Sequence, residues 1–210
     1  MSALATIDLD AIRNADVYSD PYSHLLGSKF LREQETPAIR ADFPAIEKPG
    51  YLTVDEVQLK GRFRTLIEEL EGPELTEELS QRFGQDLHPY PRLTTIMKRS
   101  QPKYGAIHTD GPSKVMTMLV YMNDDWGQDE GGRLRVLYDG ERFEPYKLEV
   151  PPVMGTVFAF LRADNSWHGH RPFSGERKVV QVAWVKSQAD LDRKKKHNKV
   201  AQFFKGIFGR

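Results

Sequence analysis

Hydrophobic residues recur at helical spacing in the first half of the chain. Thr53 and Glu56 form a capping box, the pattern that marks a helix start, and Gly72-Pro73 ends the run. The apolar positions of this predicted helix are Val57, Phe63, Leu66, Ile67 and Leu70. A second amphipathic helix is predicted over 74–83, with Gly84 at its end.

The first fifty residues show no such period. They contain four prolines, at positions 21, 37, 44 and 49, which favour an irregular lead-in segment that wraps the body. The only regular element expected here is a short helix near 7–15.

After position 90 the pattern changes to β-formers separated by turn residues. Candidate strands are 93–98, 104–108, 115–122, 134–138, 142–150, 155–161 and 178–185. Short strands in series without intervening helices predict a β-sandwich or jelly roll. We therefore expect one domain, mainly β with flanking helices: an N-terminal helical and irregular extension over 1–90, a jelly-roll core over 91–186 and a C-terminal helix over 187–210.

The C-terminal segment is an amphipathic helix by its spacing. From residue 190 on, its apolar positions are Val200, Phe203, Phe204, Ile207 and Phe208. Residues 186–210 carry a net charge of +6, which leaves −6 on the rest of a neutral chain. The apolar face either packs on its own domain, or lies on an anionic membrane surface or an acidic partner. Nucleic acid is not expected, because the body is acidic.

Composition narrows the possible chemistry. The chain has 210 residues, 39% of them hydrophobic, and no cysteine. One soluble globular domain fits these values, and any metal must be held by His, Asp or Glu. No apolar run is long enough to span a membrane, and the N-terminus lacks the features of a signal peptide, so a cytoplasmic protein is expected.

Two clusters could hold a metal. His108 and Asp110 stand two residues apart at the end of a predicted strand, and alternation places them on one face. His168 and His170 follow about sixty residues later in the same β-rich region. Two histidines and one carboxylate on one side of a metal leave open positions, the arrangement associated with non-haem Fe(II) oxygenases.

With these residues the sequence resembles the Fe(II)- and 2-oxoglutarate-dependent oxygenases of the prolyl-4-hydroxylase-like branch. The resemblance covers roughly 93–185. It includes the His-x-Asp pair, the run from Thr117 through Tyr121 to Asn123, the Gly131-Gly132-x-Leu134 element, the segment 155–160 and Pro172 four residues after His168.

The resemblance implies a double-stranded β-helix (jelly roll) in which His108, Asp110 and His168 bind Fe(II). His168 is preferred to His170 because the family's distal histidine precedes a proline by four residues and a basic residue by about ten. The implied activity is that of a dioxygenase, which uses O2 and 2-oxoglutarate and usually hydroxylates a C–H bond. Succinate and CO2 are the coproducts.

In such an enzyme a cation pairs the far carboxylate of 2-oxoglutarate. Arg177 and Lys178 are the candidates, and alternation points them to opposite faces. Arg177 shares its face with the polar Gln181 and binds carboxylates in a fork geometry, so it is preferred. Lys178 fits the usual spacing better, and Val179 stands where the family usually has serine. Tyr104 either touches 2-oxoglutarate or is a core residue.

The substrate is not readable from the sequence: a small metabolite, a protein side chain such as proline and a lipid-linked molecule all remain open. Two other classes also stay open. One is a non-catalytic jelly roll that binds a metal, a ligand or a partner, and the other is a cupin-like metalloenzyme without 2-oxoglutarate.

Overall fold

The computed structural model describes residues 4–127 and 131–196. Within them, four helices precede or interleave with the first strands: α1 (Asp10–Arg13), α2 (Thr36–Ala41), α3 (Gly61–Leu70) and α4 (Pro73–Phe83). A helical segment, α5, covers 188–196. The strands are β1 (Val17–Tyr18), β2 (His24–Gly27), β3 (Leu52–Thr53), β4 (Arg92–Ser100), β5 (Lys114–Tyr121), β6 (Leu134–Leu137), β7 (Tyr146–Val150), β8 (Val157–Leu161), β9 (His168–Gly169) and β10 (Gly175–Val185).

These strands form two antiparallel sheets. The larger has the order β1-β2-β8-β5-β10-β4-β3, and the smaller has the order β7-β6-β9. Strands distant in sequence are neighbours, as in a jelly roll, so the predicted fold is confirmed.

Alternation along the central strands divides the core into two layers. Side chains such as Val120, Val180 and Trp184 face the helices on the outside of the larger sheet. Leu119 and Val179 face the smaller sheet and, with it, enclose the interior of the barrel. Adjacent residues of one strand therefore serve different surroundings.

The segment before residue 50 is more regular than its prolines suggested. The short helix near 7–15 is present as α1, but β2 was not expected and pairs with β8 in the larger sheet. Glu69 of α3 accepts hydrogen bonds from the backbone amides of Thr6 (2.9 Å) and Ile7 (3.2 Å). The N-terminal segment is thus part of the sheet and is bonded to the helical layer.

The predicted helix from Thr53 begins later than expected. Glu56 does accept hydrogen bonds from the Thr53 amide and hydroxyl, both at 2.8 Å, but the capping box closes only a 3-10 turn. The chain is extended again at Val57, and α3 starts at Gly61, where Asp42 accepts the amide hydrogen of Arg62 (2.8 Å). A distant carboxylate therefore positions this helix start.

One further helix prediction is confirmed and one strand prediction is wrong. The helix over 74–83 is confirmed as α4, which Gly84 ends with φ of 63°. The strand predicted over 104–108 is wrong, because a 3-10 turn occupies Pro102–Gly105. The apolar stripe from Val200 to Phe208 lies outside the described residues. No helix in the described part of the chain is long and apolar enough to cross a bilayer.

Candidate metal and cosubstrate site

Three potential metal ligands meet at one end of the barrel. His108, Asp110 and His168 each place a ligand atom within 4.8 Å of the others. His108 and His168 exchange two backbone hydrogen bonds of 3.0 Å as an isolated bridge, and their rings lie 4.4 Å apart. The backbone pairing between distant segments therefore holds the two imidazoles side by side.

Local hydrogen bonds orient both imidazoles. Nδ1 of His108 donates to the carbonyl of Ala106 (2.9 Å), and Nδ1 of His168 donates to the carbonyl of Ser166 (2.8 Å). A carbonyl cannot donate, so the Nδ1 atoms carry the protons and the Nε2 lone pairs are free to bind a metal.

Asp110 is held from several sides. Its carboxylate accepts hydrogen bonds from Lys114 Nζ (2.7 Å) and Thr117 Oγ1 (2.5 Å), and its carbonyl oxygen accepts one from Arg162 Nε (3.2 Å). Burial opposes ionisation, but the charge of Lys114 and these hydrogen bonds outweigh it and hold the Asp110 pKa below its usual range. The carboxylate is therefore ionised, as a metal ligand requires.

The cluster is buried on one side and open on the other. Asp110 and His168 are buried, whereas His108 is exposed. Burial lowers the pKa of His168 to about 4, so this imidazole is neutral at neutral pH. Two imidazoles and one carboxylate with an open side fit the facial arrangement of non-haem Fe(II) sites.

Arg177 lies deeper in the barrel. Its side chain is buried, and it donates to the carbonyl of Gly132 (2.9 Å) and to the Tyr121 hydroxyl (3.2 Å). The Tyr51 hydroxyl is also hydrogen-bonded to Arg177. Burial raises the pKa values of both tyrosines, to about 12 for Tyr121, so Arg177 has no anionic partner among these three neighbours.

The two regions share one face of β5. Thr117 touches Asp110 at one end and Tyr121 touches Arg177 at the other, and both side chains point into the barrel. Four residues of a strand span about 13 Å. The metal cluster and Arg177 therefore lie toward opposite ends of one strand face that lines the barrel interior.

Lys178 points away from this interior, as alternation predicts. Its ammonium pairs with Glu176 (2.6 Å) and lies 5.9 Å from the Phe43 ring on the outer side of the sheet. Between the two candidate cations, only Arg177 faces the space next to the metal cluster.

The remaining aromatic and histidine candidates play supporting parts. Nδ1 of His170 donates to the Arg171 carbonyl (2.8 Å), and burial, followed by the charge of Arg177, lowers its pKa to about 4. Tyr104 lies in the 3-10 turn and donates its hydroxyl hydrogen to the Pro49 carbonyl (3.2 Å). Tyr51 was not among the predicted site residues, because no motif marks the irregular segment that contains it.

Tyr22, which also lies near the cluster, was not among the predicted site residues. The Tyr22 ring packs on Phe160 at 5.8 Å, and its hydroxyl donates to the Trp167 carbonyl (3.3 Å). Phe160 in turn lies 4.7 Å from the His168 ring. The β2 strand and the turn before it thus help to wall the site, although only the pairing with β8 could have shown this.

A jelly roll with two histidines and one carboxylate at its mouth defines the class of mononuclear non-haem iron oxygenases. Residues 96–186 match the sequence model of the 2OG-Fe(II) oxygenase superfamily. The implied cofactors are Fe(II) and 2-oxoglutarate, and the donor set found here fits the metal. No curated protein sequence matches the chain.

Solved structures support the fold. A Pseudomonas putida prolyl-4-hydroxylase is similar over 85% of this chain and 98% of its own, with a TM-score of 0.57 and 17% identity. A prolyl hydroxylase from Trichoplax adhaerens, solved with a hypoxia inducible factor peptide fragment, is similar over 84% and 88%, with a TM-score of 0.53 and 14% identity. A viral collagen prolyl hydroxylase from Paramecium Bursaria Chlorella virus-1, solved with 2OG, is similar over 78% and 96%, with a TM-score of 0.51 and 17% identity.

Proposed function

We propose that the protein is a 2-oxoglutarate-dependent hydroxylase in which His108, Asp110 and His168 bind Fe(II) and Arg177 binds the far carboxylate of 2-oxoglutarate. The observation that carries this proposal is the meeting of the three ligand groups within 4.8 Å, at one end of a lining whose other end presents a buried arginine. When bound, the metal and cosubstrate supply the reaction of 2-oxoglutarate, O2 and a substrate C–H to give succinate, CO2 and an alcohol.

The residues of the chain have separate tasks in this reaction. The hydrogen bonds to Ala106 and Ser166 present the Nε2 atoms of the histidines, and Thr117 fixes the rotamer of Asp110. Three contacts of Arg177 leave two of its five N–H groups for a carboxylate. The aromatic wall around His168 limits access of water from the interior side.

The three similar structures described above are prolyl hydroxylases, which makes a prolyl residue the first substrate to test. O2 and one organic substrate are the required partners. The neighbours differ from this chain at more than four-fifths of the aligned positions, so other C–H donors belong in the same screen.

An anaerobic titration tests the proposal. Fe(II) with 2-oxoglutarate should give a weak visible charge-transfer band, which H108A should lose. The matched control is H88A, because His88 contacts Asp86 and Glu77 in the helical layer. After O2 is admitted, succinate should form in the presence of a substrate. A non-catalytic jelly roll instead predicts no band, or a band without succinate under any substrate of the screen.

A further inference from the structure

Positively charged side chains surround the open end of the barrel. We define the mouth cations as Lys114, Arg162 and Lys194. Lys114 binds the Asp110 carboxylate and Arg162 binds the Asp110 carbonyl, as described above. Lys194 comes from α5, and its Nζ lies 4.0 Å from the position that a β-carbon on Gly111 would take. Three elements of the fold thus bring cations to the loop that contains Asp110.

The helical segment α5 is fixed in this place. Leu191 is buried against Leu93 and Val185. Lys195 pairs with Asp55 (2.6 Å), which lies in the 3-10 turn Val54–Glu56. Ser187 accepts the amide hydrogen of Asp190 (3.1 Å) at the start of the helix. Lys194 therefore reaches the mouth from a held backbone.

Lys194 has no counterion among the residues that the structure describes. Across residues 4–127 and 131–196 it forms no ion pair and no hydrogen bond, although it is half-buried. Burial, and next the charge of Lys114, lower its pKa. Holding a cation partly out of water without a partner costs free energy, which a bound anion would recover.

The described carboxylates near Lys194 already have other partners. Asp110 is bound by Lys114 and would bind the metal. Asp164 pairs with Arg162 and is 92% exposed, and Asp190 pairs with Arg193. The approach to the reacting position therefore favours a negatively charged ligand.

We infer that the substrate carries an anionic group, a carboxylate or a phosphate, which Lys194 binds beside the metal site. This inference rests on the proposed function, because it assigns the substrate class of the same site. Lys114 and Arg162 reinforce the field, and Lys194 is the residue that determines specificity. Neutral analogues of the substrate would lose this contact.

Magnetic relaxation tests the inference without a known substrate. The protein is loaded with Mn(II), a paramagnetic substitute for Fe(II), and with 2-oxoglutarate, and the phosphorus relaxation of inorganic phosphate is measured. Phosphate bound at Lys194 should relax faster than in H108A protein. K194M should lower this enhancement about tenfold, because a close charge pair is lost. The matched control is K196M on the same helix, where the side chain is exposed and the enhancement should stay within about twofold of the wild-type value.

The two sources of negative charge are separated by repeating the measurement with carbon-labelled acetate. A larger effect with phosphate indicates a phosphorylated substrate, a larger effect with acetate indicates a carboxylated one, and either result supports the inference. An enhancement that K194M leaves unchanged, or none above that of H108A, overturns it. Failure of the protein to bind Mn(II) and 2-oxoglutarate at all overturns the proposed function instead.

Discussion

Replacement of Arg177 by methionine tests the cosubstrate assignment most directly. The substitution keeps an unbranched apolar stem in the barrel and removes every guanidinium hydrogen-bond donor. Gly132, Tyr121 and Tyr51 lose their shared partner, and the far carboxylate of 2-oxoglutarate loses its cation. We expect binding of 2-oxoglutarate to weaken strongly while the metal ligands stay in place.

The magnitude follows from the contacts. A hydrogen bond to a charged group contributes about 1.5–3 kcal/mol, and two donors of Arg177 are available to the carboxylate. A loss of about 3 kcal/mol corresponds to a roughly 100-fold higher dissociation constant, since 1.4 kcal/mol is about tenfold. R177K should recover part of the affinity, because one cation remains but the fork does not.

The assay is an anaerobic titration of Fe(II)-loaded protein with 2-oxoglutarate, followed through the visible band. K178M is the matched control, because Lys178 pairs with Glu176 on the outer side of the sheet. Its dissociation constant should stay within about twofold of the wild-type value, because the Lys178 side chain does not face the barrel interior. If K178M weakens 2-oxoglutarate as much as R177M does, the assignment of the two cations is refuted.

Three further outcomes are expected. T117V should weaken Mn(II) binding about fivefold, because it removes a hydrogen bond to Asp110 that contributes about 1 kcal/mol. T117S keeps the hydroxyl and should bind Mn(II) as the wild type does. Equal Mn(II) affinities for the wild type, T117V and T117S would contradict a positioning role of Thr117. E69A should lower the free energy of unfolding by about 2–3 kcal/mol, because the backbone amides of the N-terminal segment lose their charged acceptor in α3. Hydrogen exchange of the amides of residues 5–7 should become faster. Exchange as slow as in the wild type would contradict this role of Glu69. In metal-free protein, the free energy of unfolding should fall as the pH is lowered from 6.5 to about 4. The reason is that His168 binds a proton in the unfolded chain over this interval, whereas the buried His168 of the folded protein does not. Denaturant titrations that give the same free energy of unfolding across this interval would refute the prediction.

Part of the site could be predicted because its residues stand in short motifs. His108 and Asp110 are two residues apart, and alternation placed Arg177 and Lys178 on opposite faces of their strand. The central strands were predicted for the same reason, since each follows a local pattern of β-formers and turns. These features depend on neighbours along the chain. His168 lies about sixty residues after Asp110 and was chosen through the resemblance.

The errors arose where distant contacts decide the structure. β2 looked irregular because its stability comes from pairing with β8, more than a hundred residues later. The capping box at Thr53 was real, yet α3 starts at Gly61 beside Asp42, which no local pattern announces. Tyr51 was missed in the same way. Tertiary contacts overrode local propensity in each case.

Strands β2 and β3 limit how far this chain can be shortened from its N-terminus. The segment shared with the superfamily, 96–186, contains β8 but neither β2 nor β3. If this segment were expressed alone, the strand edges that β2 and β3 cover would be unpaired, and such exposed edges promote aggregation. We therefore expect the segment 96–186 not to fold stably by itself. A shortened version of the protein should keep the N-terminal residues that supply β2 and β3.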